Sequence, residues 1–135
     1  MNKQALLLVA EDDPDDQYFF QEAIEVACPN AVETYFVFDG AQLISFLRKN
    51  AADKYRKNLV VLDLNMQVKD GRTTLLDIKA DPAFADIPVV VLTTSDNQDD
   101  IEYCLQNGAA AYYQKPSKIT DLVRIIRNLG QDFLN

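Results

Sequence analysis

Three stretches of the chain are apolar without a break, and each stops abruptly at an acid or a hydroxyl. Ala5–Ala10 (ALLLVA) ends at Glu11-Asp12-Asp13-Pro14, Asn58–Leu62 (NLVVL) at Asp63, and Pro88–Leu92 (PVVVL) at Thr93-Thr94-Ser95. Short apolar runs bounded by breakers read as strands buried on both faces of a parallel sheet. Val32–Phe38 alternates weakly and is rich in Val, Thr and aromatics, which suits an outer strand. Ala109–Gln114, closed by Lys115-Pro116, supplies a final strand.

Helical stripes lie between the strands. Tyr18, Phe19, Ala23, Ile24, Val26 and Ala27 form the first, ending near Cys28-Pro29-Asn30. Asp13 fits its cap and Pro14 its first turn. Ala41–Leu47 opens a second helix after a turn at Asp39-Gly40, and Thr74, Leu75 and Ile78 mark a third after Asp70-Gly71. Ile101, Cys104 and Leu105 mark a fourth, stopped by Gly108. Ile119, Leu122, Val123, Ile126 and Leu129 give the last, ended by Gly130. Strands alternating with helices predict an α/β fold: a parallel sheet covered by helices on both faces.

Composition narrows the function. The 135 residues suit one domain, with no repeat and no low-complexity segment. Lys plus Arg total 13 against 21 Asp plus Glu, a net charge of −8, which argues against nucleic acid or an anionic membrane as the partner. There is no histidine, so catalytic triads, imidazole bases and self-contained phosphohistidine chemistry are excluded. Cys28 and Cys104 sit far apart in apolar helical patterns and read as reduced core residues of a cytoplasmic protein. No apolar run approaches the roughly 20 residues of a membrane span. Met1-Asn2-Lys3 leads into a strand, not a signal peptide. The stretch Arg48–Lys57 gathers basic residues, either as a solvated helix end or as a contact for an acidic partner.

Ligands of open α/β sheets bind beyond the carboxyl ends of the strands. The residues that end the strands here are Glu11 and Asp12, Asp63, Thr93 and Lys115. Each has an ordinary reading alone: a helix-start acid, a turn cap, a cap hydroxyl, a turn lysine. Together they gather acids, a hydroxyl and an ammonium at one sheet edge. Converging carboxylates repel and raise one another's pKa values. A hard divalent cation relieves that repulsion, and oxygen ligands suit magnesium. Asp is a known nucleophile in phosphoryl transfer, and a hydroxyl and an ammonium would hold the remaining phosphoryl oxygens.

The segments LLLVAEDDPDD, VVLDLNMQVKDG, PVVVLTTS and AYYQKP resemble the receiver domains of two-component response regulators, the chemotaxis receiver among them. The resemblance runs from Ala5 to about Gly130 and implies a flavodoxin-like, doubly wound, five-stranded parallel sheet of order 2-1-3-4-5, in three α/β/α layers with five helices. It implies Asp63 as phosphoacceptor, with Glu11, Asp12, Asp63 and the backbone carbonyl of Asn65 holding Mg2+ (or Mn2+). It implies Thr93 and Tyr112 as switch residues and Lys115 as the cation that neutralises the phosphoryl group. It also implies a cis bond before Pro116, and Asn65 and Ser95 as positions tuning hydrolysis.

Gln67 stands where the family commonly has Pro, Ser117 where it has Phe, and the stretch between the second helix and third strand is longer. The implied role is that of a stand-alone receiver, residues 1–135, without an output domain. A histidine kinase or histidine phosphotransfer protein would be the donor and another protein the target, with the chain a monomer or weak dimer. The output surface would be the fourth helix, fifth strand and fifth helix, with Tyr103 and Tyr112. It would be no enzyme beyond catalysing its own phosphoryl acceptance and loss. The main alternative is a pseudo-receiver that binds proteins without phosphorylation. A phosphatase with an Asp nucleophile would want a second Asp where Asn65 stands, and a flavin binder would want a Ser/Thr/Gly-rich loop where Glu11-Asp12-Asp13 stands.

Overall fold

A computed structural model describes residues 5–27, 32–50 and 56–134. The elements run β1 (Ala5–Ala10), α1 (Pro14–Ala27), β2 (Val32–Val37), α2 (Gly40–Asn50), β3 (Asn58–Leu62), α3 (Gly71–Ala80), β4 (Val89–Thr93), α4 (Gln98–Gln106), β5 (Ala111–Gln114) and α5 (Ile119–Leu129). The strands are all parallel and lie in the order β2-β1-β3-β4-β5. This is the flavodoxin-like order, and the winding reverses between β1 and β3.

Strand side chains alternate between two cores because the pleat has a period of two. Leu8, Ala10, Val60, Leu62, Val89 and Val91 face one core with α2, α3 and Cys104 of α4. Leu7, Val9, Leu59, Val61, Val90 and Leu92 face the other, against Phe20, Ala23 and Ile24 of α1 and Leu122, Val123, Ile126 and Leu129 of α5. Burial on both faces explains the unbroken apolar runs in β1, β3 and β4. Each such side chain removed from water contributes roughly 1.5–3 kcal/mol.

Several local expectations change. Tyr18 and Val26 of the first stripe are exposed, and Phe20 points inward instead. Asp39 and Asp70 do more than turn the chain: their carboxylates accept from the N–H of Gln42 and Thr73 and cap α2 and α3. Gly130 does not end the last helix. Its φ of −60° is helical, and the chain continues as a π-helical turn, Gly130–Leu134. Phe133 and Leu134 then pack against the α1/α5 core, which outweighs the glycine's weak helix preference. Gly108, with φ +102°, follows α4 as expected. Cys104 is buried and has no disulfide partner among the described residues. Cys28, the end of the first helix near Pro29-Asn30, residues 1–3 and the middle of the basic stretch lie outside the described residues. Of the rest of that stretch, Arg56 pairs with Glu33 of β2 at 2.8 Å.

The loop after β3 is fixed by close backbone contacts. Gly71 donates its N–H to the Leu64 carbonyl at 3.0 Å. A Cβ there would fall 2.2 Å from the Asp63 carbonyl oxygen and 2.7 Å from Leu64 Cα. Gly71→Ala therefore forces backbone apart directly behind Asp63. It is expected to cost about 1–3 kcal/mol, read as a lowered urea midpoint with an unchanged slope.

The same loop holds Val68 at φ +65°, with the Lys69 N–H donating to the Gln67 carbonyl at 2.7 Å across it. A β-branched residue is strained there. Val68 is 87% exposed and has little packing to lose. Val68→Gly is expected to stabilise the fold by about 0.5–1 kcal/mol in the same measurement.

Candidate functional site: an acidic pocket at the sheet edge

Backbone hydrogen bonds at the carboxyl edge of the sheet position the site. The N–H of Glu11 donates to the Val37 carbonyl at 2.9 Å, that of Asp63 to Ala10 at 3.1 Å, and that of Lys115 to Thr93 at 2.7 Å. The residues just past β1, β3 and β5 are thus tied to neighbouring strands. The reversal between β1 and β3 leaves a crevice there, and Glu11 and Asp63 stand on its two sides.

Glu11, Asp12 and Asp63 each bring a carboxylate oxygen to within 4.8 Å of the others. Glu11 and Asp63 are buried, and Asp12 is partly exposed at the rim. The Lys115 ammonium donates to Glu11, to Asp63 Oδ2 at 3.0 Å and to Asp16 Oδ2 at 3.0 Å. Asp63 Oδ1 accepts from the Asn65 N–H at 3.2 Å, so both oxygens of this carboxylate are held. Thr93 is fully buried, and its Oγ1 has no hydrogen-bond partner among the described residues.

Burial lifts the Glu11 carboxyl to about 7; the Asp63 charge adds to the rise, while the Lys115 hydrogen bond and charge oppose it. Burial alone would lower Lys115, but its contacts with Glu11, Asp63 and Asp16 outweigh that and hold its pKa above the ordinary lysine value. The pocket is therefore an anionic cage around one ammonium, with acid oxygens to spare. Hard oxygen donors at this separation fit a small divalent cation. Glu11, Asp12 and Asp63 would hold it.

The chain belongs to the response regulator receiver family. Residues 7–127 match the family's receiver-domain model. Response regulator Rcp1 of Synechocystis sp. is 33% identical, over 98% of this chain and 91% of its own length. The phosphorylated cyanobacterial phytochrome response regulator RcpA superposes with a TM-score of 0.83 at 34% identity, covering 96% of this chain and 93% of its own. The Mn2+-bound form of Rcp1 gives 0.80 at 32% identity, covering 95% and 93%. No helix among the described residues is long and apolar enough to cross a membrane.

Of the other expected residues, Tyr112 and Ser95 meet at the loop after β4. The Tyr112 hydroxyl donates to the Ser95 carbonyl at 2.9 Å, and the ring packs against the α2/α3/α4 core. The Ser95 hydroxyl donates to Asp100 Oδ2 at 2.8 Å. Asp100 also accepts twice from Arg72, at 2.7 and 3.1 Å. That pairing holds the Asp100 carboxyl below its ordinary range. The β4–α4 loop is thus tied to α3, α4 and β5 at once.

One expectation is corrected. The bond before Pro116 is trans, as are all those described. Trans is the ordinary preference of such a bond by about 0.5–1 kcal/mol. In that form Lys115 reaches its carboxylate partners.

Two contributors were missed in the sequence, Asp16 and the Arg72–Asp100 pair. Asp13, Asp15 and Asp16 all read as acids complementing a helix start, and nothing in their spacing singles out Asp16. Arg72 and Asp100 lie on different helices, and only packing brings them together.

The raised Glu11 pKa has a consequence for stability. Folded, Glu11 keeps its proton to about pH 7; its ordinary value is 4.5. Across that window the native state binds the extra proton, so stability falls as pH rises. Lys115 titrates above the window. In metal-free protein the urea midpoint is expected to fall more steeply between about pH 5 and pH 8 in wild type than in Glu11→Gln. Parallel slopes in the two proteins would contradict the assignment.

Proposed function

We propose that this receiver accepts a phosphoryl group on Asp63 from a histidine kinase or a histidine phosphotransfer protein. The observation that carries the reading is the meeting of Glu11, Asp12 and Asp63 carboxylates with the Lys115 ammonium at the switch point. The buried, unpartnered Thr93 hydroxyl is a further group awaiting a ligand oxygen. The phosphorylated form of the similar RcpA and the Mn2+-bound form of the similar Rcp1 support the same reading.

Asp63 is the nucleophile. One of its oxygens forms a bond to phosphorus as the phosphorus–nitrogen bond of the donor breaks, and the electron pair stays on the donor imidazole. A divalent cation, Mg2+ or Mn2+, supplies charge neutralisation for the carboxylate and phosphoryl oxygens when bound. Glu11, Asp12 and Asp63 would hold it, with the backbone carbonyl of Asn65 as a further ligand. Lys115 and Thr93 take the phosphoryl oxygens, by ammonium and hydroxyl donation. The donor histidine lies outside these 135 residues, which have none.

Phosphorylation then biases a switch. Thr93 lies at the end of β4, and the loop beyond it carries Ser95, which Tyr112 grips through its carbonyl. A shift of Thr93 toward a phosphoryl oxygen moves that loop, and with it the surface of α4, β5 and α5 that carries Tyr103 and Tyr112. Asn65 and Ser95 tune loss of the phosphoryl group. The output is a contact with another protein in the cytoplasm. The chain acts as a signalling module, not as an enzyme on an external substrate.

Acetyl phosphate with Mg2+ is expected to give a phosphorylated species by intact-protein mass spectrometry in wild type and none in Asp63→Asn. Equal labelling of both would move the acceptor elsewhere. No labelling of wild type, with no Mg2+ binding, would favour the pseudo-receiver.

A further inference from the structure

Asp16 is the unexpected member of the lysine cage. It lies in the first turn of α1, and its side chain is 43% exposed. Lys115 carries an ammonium with three donor hydrogens. All of them have carboxylate partners: Glu11, Asp16 and Asp63. A phosphoryl oxygen can gain a hydrogen bond from Lys115 only if one of these partners gives it up.

The partners differ in how easily they do so. Glu11 and Asp63 belong to the group of acids close enough to share a cation, and Asp16 does not. A cation draws on the charge of Glu11 and Asp63 and loosens their hold on the ammonium. Asp63 also loses its carboxylate charge on becoming an acyl phosphate. Asp16 takes part in neither event. It is then the remaining rival of the phosphoryl oxygens for Lys115.

The lysine also has room to move. A cavity of about 260 Å³ beside it is lined by Glu11, Asp16, Asp63 and Thr94 on the polar side, and by Phe19, Leu92 and other apolar residues beneath. The cavity leaves open space beside the ammonium, on the side shared by Asp16 and Asp63.

We propose that Asp16 is a positioning residue that draws Lys115 away from the phosphoryl group and so sets how strongly the receiver holds its activated form. This rests on Asp63 being the acceptor. Removing the Asp16 charge releases Lys115 to the phosphoryl oxygens, and the activated form gains. Asp15 is the control, because it carries the same charge on the same helical turn, is exposed, and makes no contact with Lys115.

The test uses beryllofluoride, an unreactive phosphoryl mimic, titrated calorimetrically at saturating Mg2+ into wild type, Asp16→Asn, Asp15→Asn, Asp16→Glu and Asp63→Asn. Mg2+ affinity is measured separately for each. Wild type is expected to bind and Asp63→Asn not to, which checks the acceptor itself. Asp16→Asn is expected to bind roughly three- to fivefold more tightly than wild type, the range of a half-exposed ion pair. Its Mg2+ affinity should match that of Asp15→Asn. Asp16→Glu, which restores the charge, should return toward wild type. Equal tightening in Asp15→Asn and Asp16→Asn would reduce the effect to general charge and overturn the proposal. So would unchanged or weaker binding in Asp16→Asn while wild type binds. Failure of wild type to bind would instead remove the acceptor reading.

Discussion

The structure turns on one electrostatic constraint: buried carboxylates must share one ammonium at the edge of a parallel sheet. Glu11 and Asp63 are held within reach of each other by the ends of adjacent strands, and neither can retreat into water. Lys115 comes from the far side of β4, and its ammonium closes the group. Without it the acids would face one another across a crevice of low dielectric, where repulsion is strong. Burial, with the Asp63 charge adding to it, raises the Glu11 carboxyl even against the hydrogen bond and charge of Lys115. A divalent cation would favour the ionised form of these carboxylates, which suits the pocket to one.

The sheet fixes this geometry because it is rigid. Its three central strands are buried on both faces, and the residues past their ends are tied by backbone hydrogen bonds. Close-packed strands cannot slide to relieve charge. The loop after Asp63 carries the backbone constraints: Val68 has a positive φ, and Gly71 lies close against the Asp63 carbonyl, where a Cβ has no room. The loop after β4 is fixed differently, by side chains: Ser95 is gripped by Asp100 through its hydroxyl and by Tyr112 through its carbonyl. The loop beyond Thr93 is thus linked to α4 and β5 by hydrogen bonds to Asp100 and Tyr112.

Much of this was legible in the sequence. The apolar runs and the helical stripes between them dictated alternating strands and helices, because burial on both faces leaves no other use for VVVL beside LLLVA. The acids and the lysine stood at the ends of those runs, so parallel strands had to bring them to one edge. The absence of histidine and the excess of acids narrowed the chemistry without any coordinates. The family pattern added the strand order and the roles.

Tertiary structure alone decided what depends on distance between elements. That Asp16, and not Asp13 or Asp15, reaches Lys115 follows from the docking of α1 against α5, since all three are equivalent helix-start acids in sequence. The Arg72–Asp100 pair depends on how α3 lies beside α4. Gly130 reads as a stop, yet the chain winds on, because Phe133 and Leu134 gain more from the α1/α5 core than the glycine loses. Local pattern determines which face of an element is apolar and which residues end it. Only the packing of those faces, through contacts far apart in sequence, decides which charges meet.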